Sequence, residues 1–175
     1  MKILDIGCGS RKTKGTIGVD IKPFEGVNVI YDLNNRRYPF ADESVDKIFC
    51  FEVIEHLENF QNLVKESSRI LKKKGELRIS TNNVKSLINR IFKSYEHKTL
   101  DHKSPGTHKH LFTIPEFKKL IESSGFEIIE VKMLPFPCSY EHKKLRGFLN
   151  PIRINLNYIL PKSLRERTYI IAKKI

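Results

Sequence analysis

The chain has 175 residues, 39% of them hydrophobic and 30% charged, and a formal net charge of +12. That length can bury a real core, and two full domains would be crowded in it. No run of about 18 apolar residues occurs and the N-terminus enters a strand directly, so neither a membrane span nor a signal peptide is expected. Cys8, Cys50 and Cys138 are the 3 cysteines and form no C-x-x-C pair. This argues for reduced thiols in a cytoplasmic setting, against a disulfide framework or a zinc site.

In chain order, the first strand is expected over 2–6. Asp5-Ile6-Gly7-Cys8-Gly9 forms the turn that leaves it, and a second apolar run over 16–20 ends in Asp20. A strand, a glycine turn, a second strand and a terminal carboxylate are how open α/β sheets hold a nucleoside. The pattern is not the dinucleotide one: Lys12 stands where a third glycine would be, and Asp20 falls short of the spacing of about 20 residues. Only residues 10–15 lie between the two strands, whereas a parallel crossover usually needs a dozen residues or more. The first crossover is therefore a loop or a single turn.

Further strands are expected over 27–31, 46–51, 76–81, 126–131 and 168–172. A helix over 59–71 places Phe60, Leu63, Val64, Ser67, Ile70 and Leu71 on one face. The run Lys72-Lys73-Lys74 at its end suits the helix dipole. A second helix is expected over 84–92. A third is capped by Thr113 with Glu116 completing a capping box, and Gly125 stops it. Strands alternating with helices imply a mostly parallel sheet.

With its first turn reading D-I-G-C-G, the sequence resembles the class I S-adenosylmethionine-dependent methyltransferases, whose first motif is D-x-G-x-G. Asp32-Leu33, Tyr38 to Asp46, Phe51 to Leu57 (F-E-V-I-E-H-L), Leu71 to Leu77 and His110 to Phe126 resemble later segments of the type 11-like, small-molecule branch, in the same order. The resemblance implies an α/β, Rossmann-like fold in a single domain over 1–175. Its seven-stranded sheet is mostly parallel with an antiparallel last strand, has helices on both faces, and here has a short first crossover. It implies S-adenosylmethionine as cofactor and S-adenosylhomocysteine as product. The chain begins at the first strand, without the N-terminal helices that often cover the cofactor in this family. With the short crossover, that predicts an exposed cofactor site unless a partner chain or segment 83–112 closes it.

Carried over by motif, Asp5 sets the turn near the amino-acid moiety, and Gly7, Cys8 and Gly9 bring backbone close to the methionine and ribose. Asp20 accepts from the ribose hydroxyls, with Ile21 following it. Asp32 and Leu33 meet the adenine edge, although Asp32-Leu33-Asn34-Asn35 also reads as a capped turn. Phe51 and Glu52 line the cofactor or acceptor pocket, or Phe51 belongs to the core. Methyl transfer needs a base only where the acceptor loses a proton. Catalytic candidates are His56, near the active site by resemblance, and His108 and His110, since a free imidazole pKa of about 6.5 suits a base. The set Asp101, His102, His108 and His110 matches no standard zinc spacing, so no metal is expected.

Segment 83–112 is where the family places acceptor-binding insertions, and Tyr95 is a candidate contact there. Segment 135–166 is read as cover for the sheet edge. With Arg146, Arg153 and Lys162 it also suits a membrane surface or a second copy in a homodimer. The positive charge is spread along the chain and reads first as solubility. No N-P-P-Y-like motif follows the fourth strand, and Cys50 lacks the preceding proline of a carbon-5 pyrimidine nucleophile. The reading is a methyltransferase acting on O or N of a small-molecule or glycan-like acceptor. The alternatives are an RNA methyltransferase, on charge alone, or a non-catalytic cofactor-binding or interaction module.

Overall fold

The computed structural model describes residues 1–83, 108–134 and 167–175. In chain order these hold β1 (Ile3–Ile6), β2 (Ile17–Asp20), β3 (Val27–Ile30), β4 (Val45–Phe51), a 3-10 turn (Ile54–His56), α1 (Phe60–Ile70), β5 (Leu71–Asn82), α2 (Ile114–Ser123), β6 (Phe126–Leu134) and β7 (Arg167–Lys174). The expected helix over 84–92, Tyr95, Asp101, His102, Cys138 and segment 135–166 lie outside the described residues.

All seven strands join one sheet in the order β3-β2-β1-β4-β5-β7-β6. Neighbours from β3 to β5 pair in parallel. β7 is antiparallel to both β5 and β6, as the sequence led us to expect for the last strand. Leaving β1, the chain steps one way to β2 and β3, then crosses back to β4 and onward. Parallel crossovers are right-handed, so those stepping in opposite directions cover opposite faces.

The face carrying α1 and α2 holds the core. Alternate strand residues point into it: Leu4 and Ile6, Ile48 and Cys50, Leu77 and Ile79, Ile170 and Ala172, none more than 1% exposed. Leu63, Val64 and Ile70 of α1 and Phe117 and Ile121 of α2 meet them. Phe112 joins the two helices, its ring 5.1 Å from Phe60 and 5.7 Å from Phe117. The crossover over 31–44 packs here too. Glu66 accepts from the Tyr38 backbone N–H at 2.6 Å, and Arg69, paired with Glu66, donates to the Phe40 and Tyr38 carbonyls.

On the opposite face the described connections are loops. Residues 7–16 link β1 to β2 and residues 21–26 link β2 to β3, and neither contains a helix. The short first crossover is as expected, and both described helices lie on the other face. Among the described residues no helix is long and apolar enough to cross a membrane.

One local expectation is corrected. The lysine run does not end α1. The helix stops at Ile70, and buried Leu71 turns extended to pair with Val45. The ladder then resumes at Glu76 opposite Lys47, so Lys72-Lys73-Lys74 sits in an exposed bulge, with Lys72 paired to Asp46 at 2.7 Å. Burial of Leu71 against β4 outweighs one more helical turn. α2 follows the sequence closely: the Thr113–Glu116 capping box forms, and Gly125 leaves the helix at φ +87°.

Candidate functional site

In open α/β sheets ligands bind beyond the carboxyl ends of the strands, where the strand order reverses. Here that point lies between β1 and β4. The turn after β1 is held by side chains of its own neighbourhood. Gly7 and Cys8 donate backbone N–H groups to the Val19 carbonyl at 2.7 and 3.3 Å. Asp5, 5% exposed, accepts from the Thr13 N–H at 2.7 Å and so closes the crossover loop over the sheet. Gly7 has φ +68°, and a Cβ there would stand 2.3 Å from Val53 Cγ2. Only glycine fits both demands, and its missing side chain lets the exits of β1 and β4 touch.

Asp20 ends β2 with both carboxylate oxygens in use. Oδ2 accepts from the Gly9 N–H at 2.9 Å, and Oδ1 from the Lys22 N–H at 3.0 Å. A carboxylate offers about four lone-pair sites, so acceptor capacity is left for ligand hydroxyls. The space where a Gly9 Cβ would stand is open, with nothing within 4 Å. Ile21, next to Asp20, is 56% exposed.

Cys8 presents backbone rather than thiol to this site. Its Sγ lies 2.9 Å from where a Gly18 Cβ would stand, so it packs back onto β2. Burial, then the charges of Asp5 and Asp20, push the thiol up from its ordinary value, which keeps it protonated and unreactive. Lys12 packs on the same glycine and donates to the Thr16 carbonyl at 3.1 Å and to Asn28 Oδ1 at 3.2 Å. Asp32 accepts from the backbone and side chain of Asn34 at 2.9 and 3.1 Å, forming the capped turn that the sequence left open. Leu33 is buried behind it, its carbonyl held by the Tyr38 hydroxyl.

Phe51 is not in the closed core. It stands on the loop face of the sheet between Phe49 at 5.7 Å and Tyr169 at 5.8 Å, partly exposed. Glu52 turns the chain at φ +58°, a left-handed conformation that costs a non-glycine residue about 1–3 kcal/mol. Its carboxylate is tethered by Ser80 Oγ at 2.8 Å and Arg167 Nε at 3.0 Å. Sequence reasoning missed both tethers, since β5 and β7 bring them in from distant parts of the chain.

The three histidines separate. The rings of His56 and His108 are 4.9 Å apart beside the 3-10 turn. The His110 ring packs on Phe60 at 4.5 Å and lies 6.5 Å from Phe112. Residues 109 and 110 are docked by N–H donation to the Glu55 carbonyl at 2.8 and 3.1 Å. Glu55 was not a candidate from sequence. Burial, then the neighbouring Glu52 charge, pushes its carboxyl up to about 8, and hydrogen bonds from the backbone, Thr81 and Asn82 offset only part of that rise.

Residues 1–131 match the family described as "Methyltransferase domain". A demethylmenaquinone methyltransferase of Tropheryma whipplei is 23% identical over 83% of this chain and 74% of its own length. An uncharacterised protein of Methanocaldococcus jannaschii is 33% identical over 71% of this chain and 58% of its own. A solved S-adenosylmethionine-dependent methyltransferase from Archaeoglobus fulgidus superimposes with a TM-score of 0.66 at 23% identity, over 99% of this chain and 86% of that one. The family match over most of the chain agrees with the strand order and the glycine turn facing Asp20, and this protein belongs to the class I S-adenosylmethionine-dependent methyltransferases.

Proposed function

We propose that this enzyme methylates an oxygen or nitrogen atom of a small-molecule or glycan-like acceptor, in one domain over 1–175 and in a cytoplasmic setting. The cofactor is S-adenosylmethionine. The observation that carries the reading is the Asp20 carboxylate, fixed by the Gly9 and Lys22 amides with acceptor capacity to spare. The residues present fit the cofactor: the space at Gly9 is open, Asp20 can take ribose hydroxyls, and Ile21 offers exposed apolar surface. Asp5, Gly7 and Cys8 shape the turn with their backbone. Asp32 and Leu33 border the adenine side, and Phe51 and Glu52 border the methyl-donor side. The demethylmenaquinone relative, named for a small-molecule acceptor, supports that class.

When bound, the cofactor supplies an activated sulfonium methyl for in-line displacement. The protein's task is alignment, which is worth about 7–11 kcal/mol for well-oriented pairs. His56, His108 and His110 are the candidate bases for an acceptor that loses a proton; the His56 and His108 rings lie side by side, and the His110 ring packs on Phe60. The test is calorimetric titration of S-adenosylmethionine and S-adenosylhomocysteine into wild type, Asp20→Asn and Asp20→Ala, with folding checked by circular dichroism. Binding by wild type that weakens at least ~10-fold in folded Asp20→Ala, and less in Asp20→Asn, is expected. Undiminished binding in folded Asp20→Ala would remove Asp20 from the ribose site.

A further inference from the structure

Glu55 is unused by the methyl-transfer reading. It lies in the 3-10 turn Ile54–His56 and is 1% exposed. Its Oε1 accepts from the Asn82 side chain at 3.1 Å, while Oε2 is buried with no hydrogen bond of ordinary geometry, the Thr81 hydroxyl lying close enough only to offset part of its burial. Such an oxygen is costly unless a proton or a cation reaches it. Lys109, whose backbone N–H reaches the Glu55 carbonyl, pairs its Nζ with Glu58 at 2.8 Å.

What does gather at Glu55 is imidazole. One carboxylate oxygen of Glu55 and one ring nitrogen each of His56 and His108 lie within 4.8 Å of one another. The three groups come from two stretches of chain held in register by backbone bonds. Lys109 and His110 donate to the Glu55 carbonyl, and Asn83 bridges to Phe112. His56 and His108 are half-buried, so the cluster reaches from the interior toward solvent.

We propose that Glu55, His56 and His108 form a site for a divalent first-row transition-metal cation. One carboxylate with two imidazoles is a mixed N/O donor set that suits Zn²⁺ or Co²⁺ better than Mg²⁺. Ligands about 2.0–2.2 Å from such an ion stand roughly 3.4 Å apart, so donors within 4.8 Å of one another need close by at most about 1.4 Å on loading. Three protein ligands leave open positions for water or for an acceptor oxygen. What the cation does there rests on the methyltransferase reading. A coordinated acceptor hydroxyl gives its proton to solvent more readily. The oxygen then bonds to the methyl carbon as the C–S bond breaks, and that bond's electron pair stays on sulfur. With the cation bound, His56 and His108 serve as its ligands, and the proton-accepting role proposed for them above passes to solvent.

The experiment titrates Co²⁺ and Zn²⁺ into the metal-stripped full chain, without cofactor or acceptor, by absorption spectroscopy and calorimetry. Expected are stoichiometric binding and Co²⁺ ligand-field bands. Glu55→Gln and His108→Ala should each weaken binding by more than the roughly tenfold that even outer-shell partners command. Circular dichroism checks folding, and half-buried His108 keeps the test decisive if the buried Glu55 variant does not fold. No binding by folded wild type, or binding that survives in folded His108→Ala, overturns the site. Affinity for S-adenosylhomocysteine, measured separately, reports on the methyltransferase reading alone.

Discussion

The two halves of the sheet are built by different means. From β4 to β6 the described connections include helices that bury apolar faces: Leu63, Val64 and Ile70 of α1 and Phe117 and Ile121 of α2 are fully enclosed. From β1 to β3 the described connections are short loops tied down by polar side chains: Asp5 to Thr13, Asp20 to Gly9 and Lys22, and Asn28 to Gly18 at 2.9 Å. The helical half separates stability from chemistry. In the loop half the side chains that hold the backbone include Asp5 and Asp20, the ones proposed to face the cofactor, so changes there should cost structure and binding together.

The largest effect on stability belongs to the helical half. Phe117→Ala should destabilise by about 3–5 kcal/mol, because the ring is fully buried against Phe112 and its loss leaves a cavity. Urea unfolding would measure it, and cofactor affinity in the folded fraction should stay unchanged. A proportionate loss of affinity would break the separation drawn above. Gly7→Ala, in the loop half, should cost about 2–4 kcal/mol, as backbone strain adds to overpacking against Val53. It should also abolish binding of S-adenosylhomocysteine by calorimetry. Adding Val53→Ala removes the two closest clashes, keeps a Cβ at 3.2 Å and leaves the left-handed φ, so stability should recover partly and binding less.

The clamp from α1 to the 31–44 crossover adds a pH-dependent prediction. Hydrogen bonding and charge pairing with Arg69 hold the Glu66 carboxyl below its ordinary value, and the Tyr38 N–H adds to this. A depressed folded pKa gives stability that is present above the unfolded value of 4.5 and lost as pH falls through the folded one. Glu66→Gln should therefore lower stability at neutral pH, by roughly 1.5–3 kcal/mol for hydrogen bonds to charged groups. It should also flatten the decline below about pH 4.5. Thermal melts from pH 7 to pH 3 would show both, and an unaltered acid limb would take Glu66 out of that transition.

The sequence made the loop half and the capped helix legible, because their signals are local. Gly7 and Asp20 sit within one turn and two strands, and the box of Thr113 and Glu116 is read within four residues. What it hid depends on the sheet. β5 begins early because Leu71 finds Val45 across the ladder, and Glu52 is tethered by Ser80 and Arg167 from two other strands. Glu55 escaped notice for the same reason. A glutamate before a histidine says nothing of burial until Asn82 and the 108–110 segment close over it.

The smallest effect is also the cleanest separation of the two halves. In the capping box the Thr113 N–H donates to Glu116 Oε2 at 2.9 Å and Thr113 Oγ1 accepts from the Glu116 N–H at 3.4 Å, exposed and on the helical side. Thr113→Ala removes one cap acceptor and should cost about 1 kcal/mol, while Thr113→Ser should restore most of it. The residue follows Phe112, whose bridge to Asn83 helps seat the segment that carries His108. If the helical half is only scaffold, cofactor affinity and turnover of Thr113→Ala at low temperature match wild type. If turnover falls while cofactor affinity holds, fraying of α2 reaches the 108–110 segment, and the division runs between the cofactor and acceptor sides of the site, not between loops and helices.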